Sequence, residues 1–216
     1  MSPDTLSEIQ KAVLQGEDDS ALNLIRQALA ASISPLAIIN EAIVPGIMEA
    51  GYLWNKGIYF LPEVVLSAET FREAMGLLAP LISPHEVKTA GKIVIGAVAG
   101  DVHTLGKRIV VTMLQAAGYE VVDLGEDVPN TTFINRVREY QPDILGLGSY
   151  MTTTNRAMEE IIRNLEANGL RSQVKVLIGG ASTSQEYASK IGADAWGRDA
   201  VDAVAKARHL IRNKSK

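Results

Sequence analysis

The chain of 216 residues contains no cysteine. That absence removes disulfides, thiolate nucleophiles, thiolate-bound zinc and cysteine-ligated iron–sulfur clusters together, so any metal has to be held by histidine, by carboxylates or by a prosthetic group. Histidine is itself scarce, with three in all. Clustered basic charge is also missing. The 21 Lys and Arg against 25 Asp and Glu give a formal charge of −4, and binding to a phosphate backbone depends on clustered Lys and Arg, so no nucleic-acid partner is expected. No apolar run approaches the ~20 residues of a membrane span. Met1-Ser2-Pro3-Asp4 has neither the basic start nor the apolar core of a signal peptide, and the expected location is the cytoplasm. What is present is ordinary globular composition, 47% apolar and 21% charged, in a chain long enough for one large domain or two small ones.

The apolar pattern changes character at Ser83-Pro84-His85-Glu86-Val87-Lys88-Thr89-Ala90-Gly91. Before this stretch, Pro3 to Leu14, Ser20 to Ala31, Pro35 to Gly51 and Leu61 to Ile82 carry apolar residues at helical spacing, with Ser, Asp or Pro near their starts. After it, the apolar runs Lys92 to Val98, Glu120 to Leu124, Ile144 to Gly148 and Val174 to Ile178, with a shorter one at Ala193 to Trp196, alternate with helical segments. The pattern predicts a four-helix bundle over residues 1–88 followed by an α/β domain with a five-stranded parallel sheet over 89–216.

Ligands of such sheets bind outside the carboxyl ends of the strands, and the loops there are distinctive. Asp101-Val102-His103-Thr104-Leu105-Gly106 follows the first strand. Gly148-Ser149-Tyr150-Met151-Thr152-Thr153-Thr154 follows the third, and Gly179-Gly180 end the fourth. Residues 107–147 separate the first two motifs, 41 in number, and 28 residues, 151–178, separate Tyr150 from Gly179. A neutral imidazole binds a metal through one nitrogen while a carboxylate holds its other N–H, and Asp101 with His103 suits that pairing. Taken alone the same residues also suit helix capping, and Gly179-Gly180 alone suits a turn. Thr154 is equally placed to cap the helix through Met158, Ile161 and Leu165. His85 in the linker and His209 in the last helix have no such company and read as solvated, as do Lys92, Lys107 and Arg108.

Together these segments resemble the cobalamin-binding domains of methionine synthase and of the corrinoid proteins of anaerobic methyltransferase systems, whose pattern is DxHxxG, then SxL, then GG at these spacings. Gly118-Tyr119-Glu120-Val121-Val122-Asp123-Leu124-Gly125-Glu126-Asp127-Val128-Pro129, the triple threonine Thr152 to Thr154 and Gly192-Ala193-Asp194-Ala195 resemble the corrinoid proteins in particular. In the helical half, Gly51-Tyr52-Leu53-Trp54-Asn55-Lys56-Gly57-Ile58-Tyr59-Phe60-Leu61-Pro62-Glu63-Val64 looks like that family's helical cap, which lies over the methyl face of the corrin ring.

The resemblance implies a flavodoxin-like (Rossmann-like) cobalamin-binding domain behind a helical cap. It implies base-off cobalamin with His103 as the lower ligand to cobalt and a relay of His103, Asp101 and Thr154. Cofactor contacts are expected from Thr104, Leu105 and Gly106, from Gly148, Tyr150 and Thr152, and from Gly179 and Gly180, with hydroxyls of Ser182, Thr183 and Ser184 near the nucleotide tail. Trp54, Leu61 and Val64 are expected to shield the methyl group, although apolar residues at helical spacing also serve as bundle core. The linker at 83–91 is the expected hinge. The chain departs from SxL, with Gly148 at the serine position and Tyr150 at the leucine position, both lining the slot for the tail.

The implied function is methyl carriage by a subunit that is not itself catalytic. Co(I) accepts a methyl group from a substrate-specific methyltransferase, and methyl-Co(III) passes it to a second methyltransferase that loads a folate or thiol. A reductive activator is a further implied partner. Donors in related systems are methanol, methylamines, glycine betaine and methoxylated aromatics, the last being slightly favoured here. The alternatives are a cobalamin-dependent sensor, for which no basic DNA-binding module is present, and a subunit of a radical mutase, which lacks such a cap.

Overall fold

The computed structural model describes residues 4–81, 89–103 and 105–214. Linker positions 82–88, His85 among them, and Thr104 lie outside the described residues. The chain divides into two compact units, Met1–Lys88 and Thr89–Lys216.

The first unit is helical. It comprises α1 (Asp4–Gln15), α2 (Asp18–Ala30), α3 (Pro35–Ile38), α4 (Val44–Asn55) and α5 (Leu61–Leu78). Ile9, Val13, Ile25, Ile38, Ile43, Ile47, Phe71 and Leu78 form its core, each almost fully buried. Ser34 starts α3 by accepting the Ala37 amide at 3.0 Å, with Pro35 in the first turn where its missing N–H costs nothing. A π-helical turn, Ile39–Ile43, joins α3 to α4 just ahead of Pro45. Proline has no N–H for the preceding turn and its ring crowds the carbonyl there, and a widened turn takes up that misfit. The stretch Pro35–Asn55 is therefore 21 residues of near-continuous helix containing an 18-residue window of mean hydropathy 1.3, long and apolar enough to cross a membrane by length and composition. This corrects the expectation that no apolar run approaches that length. In the structure Ile38, Ile39, Ala42, Ile43, Ile47 and Ala50 are buried in the bundle.

The second unit is a parallel five-stranded sheet in the order β2-β1-β3-β4-β5, built from β1 (Lys92–Ala97), β2 (Glu120–Asp123), β3 (Ile144–Gly148), β4 (Lys175–Gly179) and β5 (Ala195–Gly197). The connecting helices are α6 (Leu105–Ala116), α7 (Asn130–Tyr140), α8 (Asn155–Ala167), α9 (Gln185–Ile191) and α10 (Ala200–Lys214). Alternation along the strands sorts the faces. Val94, Leu145, Leu147, Val176 and Ile178 pack with Phe133 of α7 and Met158, Ile161 and Leu165 of α8 in one core cluster. Helices α6 and α10 pack together on the unit. The last strand starts at Ala195, two residues later than expected. The Asp194 carboxylate turns back to accept the Val176 amide at 2.8 Å and so belongs to the turn.

Strand order reverses between β1 and β3, which pair in register from Ile93 with Ile144 to Ala97 with Gly148. Such a switch point opens a crevice because the two following loops leave in opposite directions.

Candidate functional site

The loops after β1 and β3 bring Asp101, His103 and Thr154 together at this crevice. Asp101 is fully buried, and its carboxylate is saturated with donors. Oδ1 accepts the His103 amide at 3.0 Å and contacts His103 Nδ1 at 2.9 Å. Oδ2 accepts the Tyr150 amide at 2.6 Å, the Thr154 hydroxyl at 3.1 Å and, more loosely, the Met151 amide at 3.4 Å. An ionised carboxylate only accepts, so Nδ1 carries the ring proton and Nε2 is left as a free lone pair. Burial by itself raises the Asp101 carboxyl. The Tyr150 and His103 amides, then the His103 ring and the Thr154 hydroxyl, outweigh it and hold the group below its ordinary range.

The Thr154 hydroxyl is turned away from capping. Thr154 stands at the N-cap of α8, but its side chain makes no cap bond. Its oxygen meets Ser149 Oγ at 2.7 Å, and Ser182 Oγ lies 3.4 Å beyond Ser149 Oγ. With Ser149 donating to Thr154 and Thr154 donating to Asp101, each hydroxyl proton is used once, and the Met151 carbonyl, 2.8 Å from Thr154 and 3.1 Å from Ser149, is the competing acceptor. Ser149 is fully buried. The sequence reading assigned it no role, and its only signal was a hydroxyl between two motif positions.

Two further residues brace the histidine loop. Asp127 has a left-handed φ of 49°, a conformation that costs a non-glycine residue about 1 kcal/mol or more. It is held by accepting the Gly100 amide on Oδ1 at 2.6 Å while its own amide donates to the Asp101 carbonyl at 2.9 Å. Lys107, read from the sequence as solvated, is instead buried at 7% exposure and paired with Asp123 at the end of β2. Its helix α6 packs against β2, and a buried ammonium is kept only when paired. Arg108 and Lys92 are exposed as expected.

The remaining expected contacts divide. His103 is half-exposed, Leu105 is 46% exposed, and Thr152 is on the surface. Gly148 is not crowded, since an added Cβ would be in ordinary contact with the Gly96 carbonyl at 3.7 Å. At Gly180, with φ 115°, a Cβ would fall 2.0 Å from the Ser149 carbonyl oxygen, so the backbone that needs the glycine there is the protein's own third loop. Gly179 is half-buried, and its Cβ would meet the Gly197 carbonyl at 3.2 Å. The hydroxyls expected near a tail have partners within the protein. Ser182 donates to the Ser149 carbonyl, Thr183 accepts the Trp196 indole N–H at 3.0 Å, and Ser184 accepts the Tyr187 amide. In the helical unit Trp54 is half-buried and Leu61 exposed. Val64 is 1% exposed, which makes it bundle core with little surface to offer a ligand.

Two B12 binding domain families match the chain, one over residues 91–205 and the other over residues 5–79. The chain belongs to the B12-binding corrinoid proteins. It is 38% identical over 208 residues to trimethylamine corrinoid protein 1 of Methanosarcina acetivorans, covering 95% of this chain and 96% of that one. It is 40% identical over 206 residues to dimethylamine corrinoid protein 3 of the same organism, at the same coverage of both chains. Among solved structures, the methanol:cobalamin methyltransferase complex MtaBC from Methanosarcina barkeri superimposes with a TM-score of 0.84 at 32% identity, over 98% of this chain and 81% of that chain.

As a corrinoid protein the chain has cobalamin as its cofactor class, and the site can be tested against that group on its own geometry. Among the described residues no three His, Asp or Glu side chains converge to hold a metal ion. A lone imidazole with Nδ1 tied to a buried carboxylate suits a metal whose other positions are filled by a macrocycle. The residues therefore fit a corrinoid protein's prosthetic group and do not fit a bare ion.

Proposed function

We propose that this corrinoid protein is a methyl carrier, with His103 Nε2 as the lower axial ligand of a base-off corrinoid. The observation that supports the reading best is the half-exposed His103 ring held through Nδ1 by a buried, donor-saturated Asp101. When bound, the corrinoid supplies the cobalt centre to which a methyl group is attached and from which it is removed. The chain's own part is to position His103, to fix its tautomer through Asp101, and to hold a hydroxyl chain of Thr154 and Ser149 behind the carboxylate. Trp54 and Leu61 retain the proposed shielding role. Val64 drops out of it because it is buried.

The partners we assign are a substrate-specific methyltransferase, an acceptor methyltransferase using tetrahydrofolate or a thiol, and a reductive activator, all in the cytoplasm. The relatives are named for trimethylamine and dimethylamine, and the matched complex is a methanol methyltransferase. Of the donor classes that the resemblance implies, these names favour methylamines or methanol over the methoxylated aromatics given a slight preference above.

The test uses isotopically labelled donors, each offered with its methyltransferase to reduced, cobalamin-loaded protein. Label should stay with the protein through gel filtration and leave when the acceptor enzyme and its folate or thiol are added. Light-dependent assembly with no label transfer would support the sensor reading instead.

A further inference from the structure

Tyr150 occupies an unusual position between the two loops. Its amide is bonded to Asp101 Oδ2 at 2.6 Å, its ring stacks on the His103 imidazole with centroids 5.6 Å apart and planes 22° from parallel, and it remains 39% exposed. The phenol end reaches across to α6, where a Cβ on Gly106 would fall 1.9 Å from the Tyr150 hydroxyl oxygen. The ring therefore rests directly on the Gly106 backbone and closes the gap between the first and third loops. At Gly148, by contrast, a Cβ would make only ordinary contacts, with the Gly96 carbonyl at 3.7 Å and Ala97 at 3.9 Å. Of positions 148 and 150, it is 150 that supplies a side chain bridging the crevice.

Anything that is to lie against Gly106 beside His103 has to displace this ring first. A stacked aromatic pair adds stability beyond its buried area, and a binding-competent state that is only partly populated lowers apparent affinity by its population. The penalty falls on a ligand that enters the gap and spares one that stops at His103.

We propose that Tyr150 is a specificity-determining residue that selects among corrinoids by what hangs below the ring. It discriminates against a corrinoid whose bulky nucleotide-tethered base would enter the gap beside Gly106, relative to a corrinoid with no such tail. The proposal rests on the corrinoid reading above and adds the residue that sets the preference.

The experiment compares hydroxocobalamin, which carries the tail, with cobinamide, which lacks it. Affinities are read by absorbance titration and gel filtration of the full chain. In Tyr150→Leu, binding of cobalamin should tighten by roughly three- to tenfold relative to cobinamide, the factor that corresponds to losing one aromatic pair. Tyr150→Ala should show the same direction, and Tyr150→Phe, which keeps the ring, should keep the wild-type ratio. An unchanged ratio in both the Leu and Ala variants would overturn the proposal, as would an equal change for both ligands, since that would confine Tyr150 to its contact with His103. Retention of neither corrinoid by the wild-type chain would instead overturn the corrinoid reading itself, and the Tyr150 assignment with it.

Discussion

At Asp101 a single buried carboxylate collects five contacts from two loops, and this residue decides what His103 presents to a ligand. Replacing it by Asn keeps the volume but puts an NH2 group where an acceptor is needed, facing donors that are already committed. Loss of a charge-assisted acceptor in the interior costs about 2 kcal/mol or more, so Asp101→Asn should lower the melting temperature at neutral pH. The carboxyl is held below its ordinary value in the folded state, so its stabilisation is present above the unfolded-state value and is lost as pH falls through the folded one. The gap between wild type and Asp101→Asn should accordingly narrow in acid, as read by melting curves across a pH series, and a gap that stays constant would contradict the assignment. The Asp-x-His pairing was legible because both partners lie in one short motif. The stack of Tyr150 on His103 and the pairing of Lys107 with Asp123 were not, because those partners lie across loops and strands that only the tertiary fold brings together, while Ser149 shares a loop with Thr154 but fell outside the motif positions.

Among the elements, the turn from β1 to α6 carries the site, and it is held from the side by the turn after β2. Asp127 accepts a left-handed backbone in order to bond Gly100 and Asp101. Asp127→Ala keeps the unfavourable φ and loses the acceptor, and should cost about 1–2 kcal/mol. Asp127→Gly loses the acceptor but relieves the φ, and Asp127→Asn keeps an oxygen and tolerates the conformation. Melting temperatures should fall in the order Asn, Gly, Ala, with the Gly100 amide exchanging fastest in the last two. An Ala variant as stable as the Asn variant would show that the turn does not need this brace. In the sequence Gly125-Glu126-Asp127-Val128-Pro129 stood out only within the stretch that resembles the corrinoid proteins, with no sign that it supports the histidine loop. Its partner, the Gly100 amide, carries no side chain to signal the contact.

For the whole molecule, an apolar pattern with two distinct periods was enough to expect a helical unit followed by a parallel sheet. Short runs rich in Ile, Val and Leu placed the first four strands, and Ala193 to Trp196 the fifth, all to within two residues. What the pattern left out were departures forced by single residues, the π turn before Pro45 and the late start of β5, at Ala195, after the turn held by Asp194. The same chain-wide view ties the fold to the function, since the strand-order reversal between β1 and β3 is what sets His103 and Thr154 on facing loops. The claim on which the account rests is that the His103 side chain becomes the axial ligand of the corrinoid's cobalt. Electron paramagnetic resonance of the chain reconstituted with cob(II)alamin tests it most directly, comparing unlabelled protein, protein carrying nitrogen-15 histidine, and His103→Ala. With His103 on cobalt, a triplet superhyperfine pattern becomes a doublet on labelling and disappears in the variant. A triplet that persists through both changes would leave the cofactor's own base on cobalt and contradict the assignment of His103.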